Sequence, residues 1–250
     1  MGKQFKQALI VGASSGMGAS LAATLAAQGA KVAIVARRED ALRQVAEGIH
    51  TAWGPDSARI YKHDVTDVDA IAPLFADIVQ DLGGLDLICY AAGYLEKPGE
   101  DEYPTEKDRR TIDVGLTGAI AWLNEAATYF TKQKHGTIVG ISSIAGDRGR
   151  RAFPGYHAAK AGLTAYLEAL RNRLAQHGVQ VTTIKPGFID TPMTRGMEGL
   201  FWLKSSDEAA RMIAKSAAKG RQTSYVPGRW RFVSLVIRSI PSFIFRRMSI

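Results

Sequence analysis

The sequence predicts an α/β protein: a doubly wound, mostly parallel sheet of about seven strands in a single domain, with helices on both faces. Three observations predict it. Short apolar runs alternate along the chain with segments whose apolar residues recur at helical spacing. The runs are apolar almost throughout rather than at every second residue, the pattern of strands covered on both faces. The first run passes through Gly12-Ala-Ser-Ser-Gly16-Met-Gly18 into a helical segment, a turn that leaves free backbone amides at a helix start.

Taken in order, QALIVG, KVAIVA, ARIYKHD, LDLICYA, GTIVGIS and VQVTTIKPG read as strands, and a further strand near SYVP closes the edge. Between them lie helical patterns in SLAATLAAQ, EDALRQVAEGI, VDAIAPLFADIVQDL and the long RRTIDVGLTGAIAWLNEAATYFTK. Another helix is expected from Tyr156 onward, after the Pro154-Gly155 turn, and one over SDEAARMIAKSAAKG with Ser206 as its cap. Residues 1–228 are expected to form the folded domain. Residues 229–250 are a basic, apolar extension rather than a domain of their own.

The first turn has the chemistry of a nucleotide site. Gly12 allows the tight turn, Gly16 lets a phosphate approach the backbone, and Gly18 lets the helix pack on the sheet. Ser14, Ser15 and Met17 complete this candidate cradle. The second strand ends at Ala36 and is followed by Arg37 and Arg38, where an acid would bind a ribose 2′-hydroxyl; arginines suit a 2′-phosphate. NADP(H) is therefore expected over NAD(H). Asp64, followed by Val65 after the third strand, is placed to meet the adenine ring.

Tyr156 and Lys160 stand one helical turn apart, so phenol and ammonium share a face. A neighbouring cation favours phenolate and is expected to draw the tyrosine down from its usual value of about 10. Ser143 lies where the strand GTIVGIS runs into a loop.

Together these pieces resemble the short-chain dehydrogenase/reductase family, over about residues 6 to 195. The resemblance rests on GASSGMG, Asp64, TIVGISS, Tyr156-His-Ala-Ala-Lys160 and Pro186-Gly-Phe-Ile-Asp-Thr-Pro-Met193. It implies a Rossmann fold and an oxidoreductase that passes a hydride between nicotinamide and a carbonyl or alcohol. It implies Tyr156 as acid/base, Lys160 as the group that lowers its pKa and holds the nicotinamide ribose, and Ser143 as hydrogen-bond partner of the substrate oxygen. Ala91, Ala92 and Gly93, with Pro186, Gly187, Ile189 and Thr191, would line the cofactor. Two departures stand out. Tyr90-Ala91-Ala92-Gly93 replaces the family's Asn-Asn-Ala-Gly, and Gly115 replaces the asparagine in a Val-Asn-Leu-Thr-Gly pattern. Tyr90 is expected to fill the space left at Gly115. A catalytically impaired NADP(H)-binding sensor or scaffold is the alternative these departures leave open.

The loop YLEKPGEDEYPTEKDRR is expected at the substrate opening. Arg148, Arg150 and Arg151 either meet an anionic substrate there or belong to a solvated loop. Met193, Met197, Leu200, Phe201 and Trp202 suit a lid over a hydrophobic small-molecule substrate, or contacts between subunits. The resemblance implies a homodimer or homotetramer paired through two long helices. The chain carries a net charge of +8, and Arg229, Arg231, Arg238, Arg246 and Arg247 contribute five of those charges in a tail without acids. The remainder is only mildly basic, which argues against nucleic-acid binding. Arginines among Trp230, Phe232, Leu235, Val236 and Phe243 read either as a peripheral membrane contact over 229–250 or as helices packed on the sheet edge or a sister subunit. Pro241 is expected to break the tail into two short helices. The one cysteine, Cys89, lies in an apolar run, as a buried thiol would, and fits a cytoplasmic location.

Overall fold

The computed structural model describes residues 2–99 and 101–248. Seven parallel strands form the main sheet: β1 Gln7–Val11, β2 Lys31–Ala36, β3 Ala58–Lys62, β4 Leu87–Tyr90, β5 Gly136–Ile141, β6 Val179–Pro186 and, after two short strands, β9 Thr223–Val226. The short pair, β7 Ile189–Asp190 and β8 Lys204–Ser205, stands apart from it. The strand order is β3-β2-β1-β4-β5-β6-β9. The order reverses between β1 and β4, and there the C-terminal ends of neighbouring strands part to open a crevice.

The helices are α1 Gly16–Ala26, α2 Glu39–Trp53, α3 Ile71–Leu82, α4 Thr105–Ile112, α5 Gly118–Gln133, α6 Pro154–Leu174, α7 Ser206–Ala218, α8 Trp230–Ser239 and the single turn α9 Ser242–Phe245. Strand β1 shows why the strands are apolar throughout. Its Ala8 and Ile10 pack with Leu21 and Leu25 of α1 and Ile213 of α7, while Leu9 and Val11 pack with Phe75 of α3 and Trp122 of α5. Each face of the sheet has its own core, so the strand's side chains are buried whichever way they point.

Four local readings are corrected. The long helix expected over RRTIDVGLTGAIAWLNEAATYFTK is interrupted: a π-helical turn, Asp113–Thr117, separates α4 from α5. Two glycines within four residues weaken the helical ladder there, and the Tyr90 hydroxyl donates to the Val114 carbonyl at 2.6 Å. Helix α6 starts at Pro154 rather than Tyr156, because a proline lacking its N–H is suited to the first turn. Ser205, not Ser206, caps α7: its hydroxyl accepts from the Glu208 amide while the Glu208 carboxylate accepts from the Ser205 amide. Tyr90 does not fill the space at Gly115. A side chain at Gly118 would collide with the Tyr90 hydroxyl, whereas one at Gly115 would meet the Ala159 methyl at 3.2 Å. Pro241 does separate two short helices. Glu100 of the acidic loop, and Ser249 and Ile250 of the tail, lie outside the described residues.

Candidate active site

The crevice beside β1 is a cavity of about 390 Å³. Gly12 leaves β1 with φ +92°, and a Cβ there would lie 2.3 Å from the Ala92 nitrogen, so no other residue lets the two chain segments approach so closely. A Cβ at Gly18 would lie 2.2 Å from the Gly12 carbonyl oxygen; its absence lets α1 start directly under the turn. Ser15 precedes α1 without capping it, so the first-turn amides keep their capacity for an anion. Both serine hydroxyls are instead held by the Arg38 guanidinium, which donates to Ser14 at 3.0 Å and to Ser15 at 2.9 Å.

Arg37 reaches Asp64 at 3.4 Å. Asp64 also accepts from the Thr66 amide at 3.1 Å and the Thr66 hydroxyl at 2.9 Å. Burial alone would raise the Asp64 carboxyl, but the Thr66 donors and the Arg37 charge outweigh it and hold the group below its usual range. Val65, Ala91, Ala92, Gly93 and Thr191 complete this part of the wall, with Met17 and Met193. This glycine cradle, with a cationic rim and few side chains intruding, fits a dinucleotide.

Ser143, Tyr156 and Lys160 stand beyond the Gly93 end of the cavity. Lys160 is only 5% exposed, and its ammonium donates to the Ile141 carbonyl at 2.8 Å. It lies 5.6 Å from the centre of the Tyr156 ring, and a Cβ on Gly93 would stand 3.8 Å from it. Burial draws the lysine down to about 8. Burial also raises the Tyr156 phenol, against a smaller opposite pull from the Ser143 hydroxyl. The expected depression of the tyrosine by the lysine is therefore corrected: desolvation raises the phenol, and the only opposing pull comes from Ser143. Ser143 begins a 3₁₀ turn, Ile144–Gly146, its hydroxyl accepting from the Ala145 amide at 3.1 Å. The ring of His157 bonds the Ala145 carbonyl at 2.7 Å and steadies that turn.

Other expected positions sit behind the cavity. Pro186 ends β6, Ile189 is buried in the core, and Gly187 lies beneath Trp230, whose ring a Cβ would overlap. Arg148 does not face the mouth. It donates to the Ile237 and Ile240 carbonyls at 2.6 and 2.5 Å and lies 3.8 Å from the Phe245 ring centre, holding the end of α8. Arg150 has a buried Nε without a partner among the described residues, and Arg151 is exposed.

The sequence reading missed a polar network behind the site. Lys185 pairs with Asp147 out of solvent, and Asp147 also accepts from Tyr225 at 3.1 Å and Ser234 at 2.6 Å. The visible signal was a lysine within a strand otherwise free of charge, VTTIKPG, a position that requires a buried partner.

Comparison with known proteins decides the family. The short chain dehydrogenase model matches residues 6–199. The chain belongs to the short-chain dehydrogenase family. An uncharacterized oxidoreductase of Myxococcus xanthus is 32% identical over 245 residues, covering 96% of this chain and 95% of its own. A short-chain type dehydrogenase/reductase from Mycobacterium ulcerans superimposes with a TM-score of 0.82 at 26% identity, covering 99% of this chain and 100% of that one. A single-residue variant of the actinorhodin polyketide ketoreductase, solved with NADPH, gives 0.80 at 26% identity over 90% of this chain and 97% of its own. The chain is thus a short-chain dehydrogenase in sequence and an oxidoreductase by family, with the Rossmann fold and the nicotinamide cofactor of that family.

Proposed function

We propose that the protein is an NADP(H)-dependent oxidoreductase that interconverts a carbonyl and an alcohol on a lipophilic small molecule. The observation that carries this reading is the buried Lys160 ammonium, set against the Tyr156 ring and the Gly93 rim of the glycine-lined cavity. The bound nicotinamide supplies or accepts the hydride. The chain does the rest. The α1 amides and the Gly12–Gly18 turn bind the diphosphate. Arg38, already bridging Ser14 and Ser15, and Arg37 bind the 2′-phosphate. Lys160 and Thr191 orient the nicotinamide half at the inner end. Ser143 donates to the substrate oxygen, and Tyr156 gives that oxygen its proton in reduction or takes it in oxidation. In reduction a neutral phenol is the competent form, and the burial that raises Tyr156 keeps it protonated at neutral pH.

NADPH in the similar ketoreductase supports the cofactor preference. Phe188 and Trp202 meet Trp230 edge-on and Phe201 lies tilted against it, beside the short β7–β8 pair, and the segment between those strands carries Met193 to the cavity wall. This apolar surround supports a hydrophobic substrate. Family membership supports a homodimer or homotetramer formed through α5 and α6. The test is NADPH consumption with a panel of ketones and aldehydes graded in hydrophobicity. Turnover that rises with chain or ring size supports the reading. Tight NADPH binding without turnover on any of them would replace it with a nucleotide-binding sensor or scaffold.

A further inference from the structure

We propose that α8 and α9 form a docking surface for an anionic phospholipid bilayer. The inner face of α8 is fastened to the domain. Trp230 is buried against Gly187 and Phe188, Ser234 donates to Asp147, and Arg148 holds the last carbonyls. Fastened in this way, the helix turns its other side outward. Phe232, Leu235 and Val236, spaced to share one face, are 61%, 63% and 62% exposed, and Phe243 and Ile244 of α9 are 60% and 44% exposed. Apolar surface of this extent on a folded chain calls for an apolar partner.

Charge selects which partner. Arg229, Arg231, Arg238, Arg246 and Arg247 flank these apolar residues along the chain and are exposed, and no acid occurs between residues 229 and 250. A two-fold contact centred on this patch would set five guanidinium groups against five others with no acid of the tail to neutralise them. A leaflet of anionic headgroups neutralises them while its acyl region takes up the phenyl and aliphatic side chains. Among the described residues no helix is long and apolar enough to cross a membrane, so the contact lies in the plane of the surface. Phe201, Trp202 and Leu203 are exposed as well, and Arg229, next to the start of α8, lies 4.6 Å over the Trp202 ring. The docked surface therefore adjoins the segment that borders the cavity.

This proposal does not depend on the reaction, and its test uses neither substrate nor cofactor. The full chain is sedimented with phosphatidylcholine vesicles and with phosphatidylcholine–phosphatidylserine vesicles. Binding roughly tenfold stronger to the anionic vesicles, weakening with salt, is expected. Two variants should each lose it: Phe232→Ser with Leu235→Ser, and Arg246→Glu with Arg247→Glu. Sedimentation velocity of the same variants should show an unchanged assembly state. Absence of vesicle binding, or binding that both variants retain, would overturn the proposal. So would dissociation of an oligomer by the Phe232→Ser, Leu235→Ser pair, which would make the face a subunit contact.

Discussion

At the β2 end of the cavity the charged groups stand in solvent: the Arg37 side chain is 57% exposed and its partner Asp64 37%. At the Gly93 end Lys160 is buried and held by one backbone carbonyl. The difference separates recognition from chemistry. On the proposed function, the exposed arginines offer their charge to a phosphate at little cost to folding. Desolvation lowers the buried Lys160 ammonium to about 8, and on the proposed function the chain accepts that cost in stability to hold a cation beside Tyr156 and the nicotinamide half.

Lys160→Met should separate the two ends most widely. The folded value of about 8 lies below the ordinary lysine value of 10.5, so between those values the unfolded chain binds the additional proton and stability rises with pH; below about pH 8 the penalty is fully present. Removing the ammonium should therefore raise stability at pH 7 by about 2 kcal/mol, after allowing for the Ile141 carbonyl left without its donor. Turnover should fall at least about a hundredfold. Melting curves and initial rates check both, and a lower melting temperature would show that the lysine is stabilising after all.

At the exposed end the expected effect is smaller and confined to cofactor choice. NADPH should bind at least about tenfold more tightly than NADH, or ~1.4 kcal/mol. Arg37→Asp should erase that preference without altering stability measurably. Calorimetry giving equal affinities for the unaltered protein would remove the role assigned to the arginines.

The smallest effect is expected at Gly115. A Cβ there meets the Ala159 methyl at 3.2 Å, so Gly115→Asn demands at least a small shift in α6 one residue before Lys160. The rate should change by less than about threefold, or fall. A gain of an order of magnitude would mean that proton supply limits the natural chain.

The strands and most helices were legible because a sheet buried on both faces writes its position into the sequence as unbroken apolar runs, as in β1 and β5. The glycine turn was legible because Gly12 and Gly18 meet backbone that no side chain can share. What was not legible depends on long-range packing. The π-turn at Asp113–Thr117 involves Tyr90, which is distant in the sequence, and the partner of Lys185 comes from a different loop. Arg148 was read as either a substrate group or part of a solvated loop because nothing local shows that α8 returns to take it. The direction expected for the Tyr156 phenol missed for the same reason: spacing gives the neighbour but not the desolvation.

The division between the two ends is tested most directly by Tyr156→Phe, which removes one hydroxyl from the buried end and leaves the exposed end intact. NADPH affinity by calorimetry should be unchanged within about twofold, while kcat on the best ketone of the panel should fall by roughly a thousandfold. Turnover that survives the substitution would contradict the assignment of the proton to Tyr156.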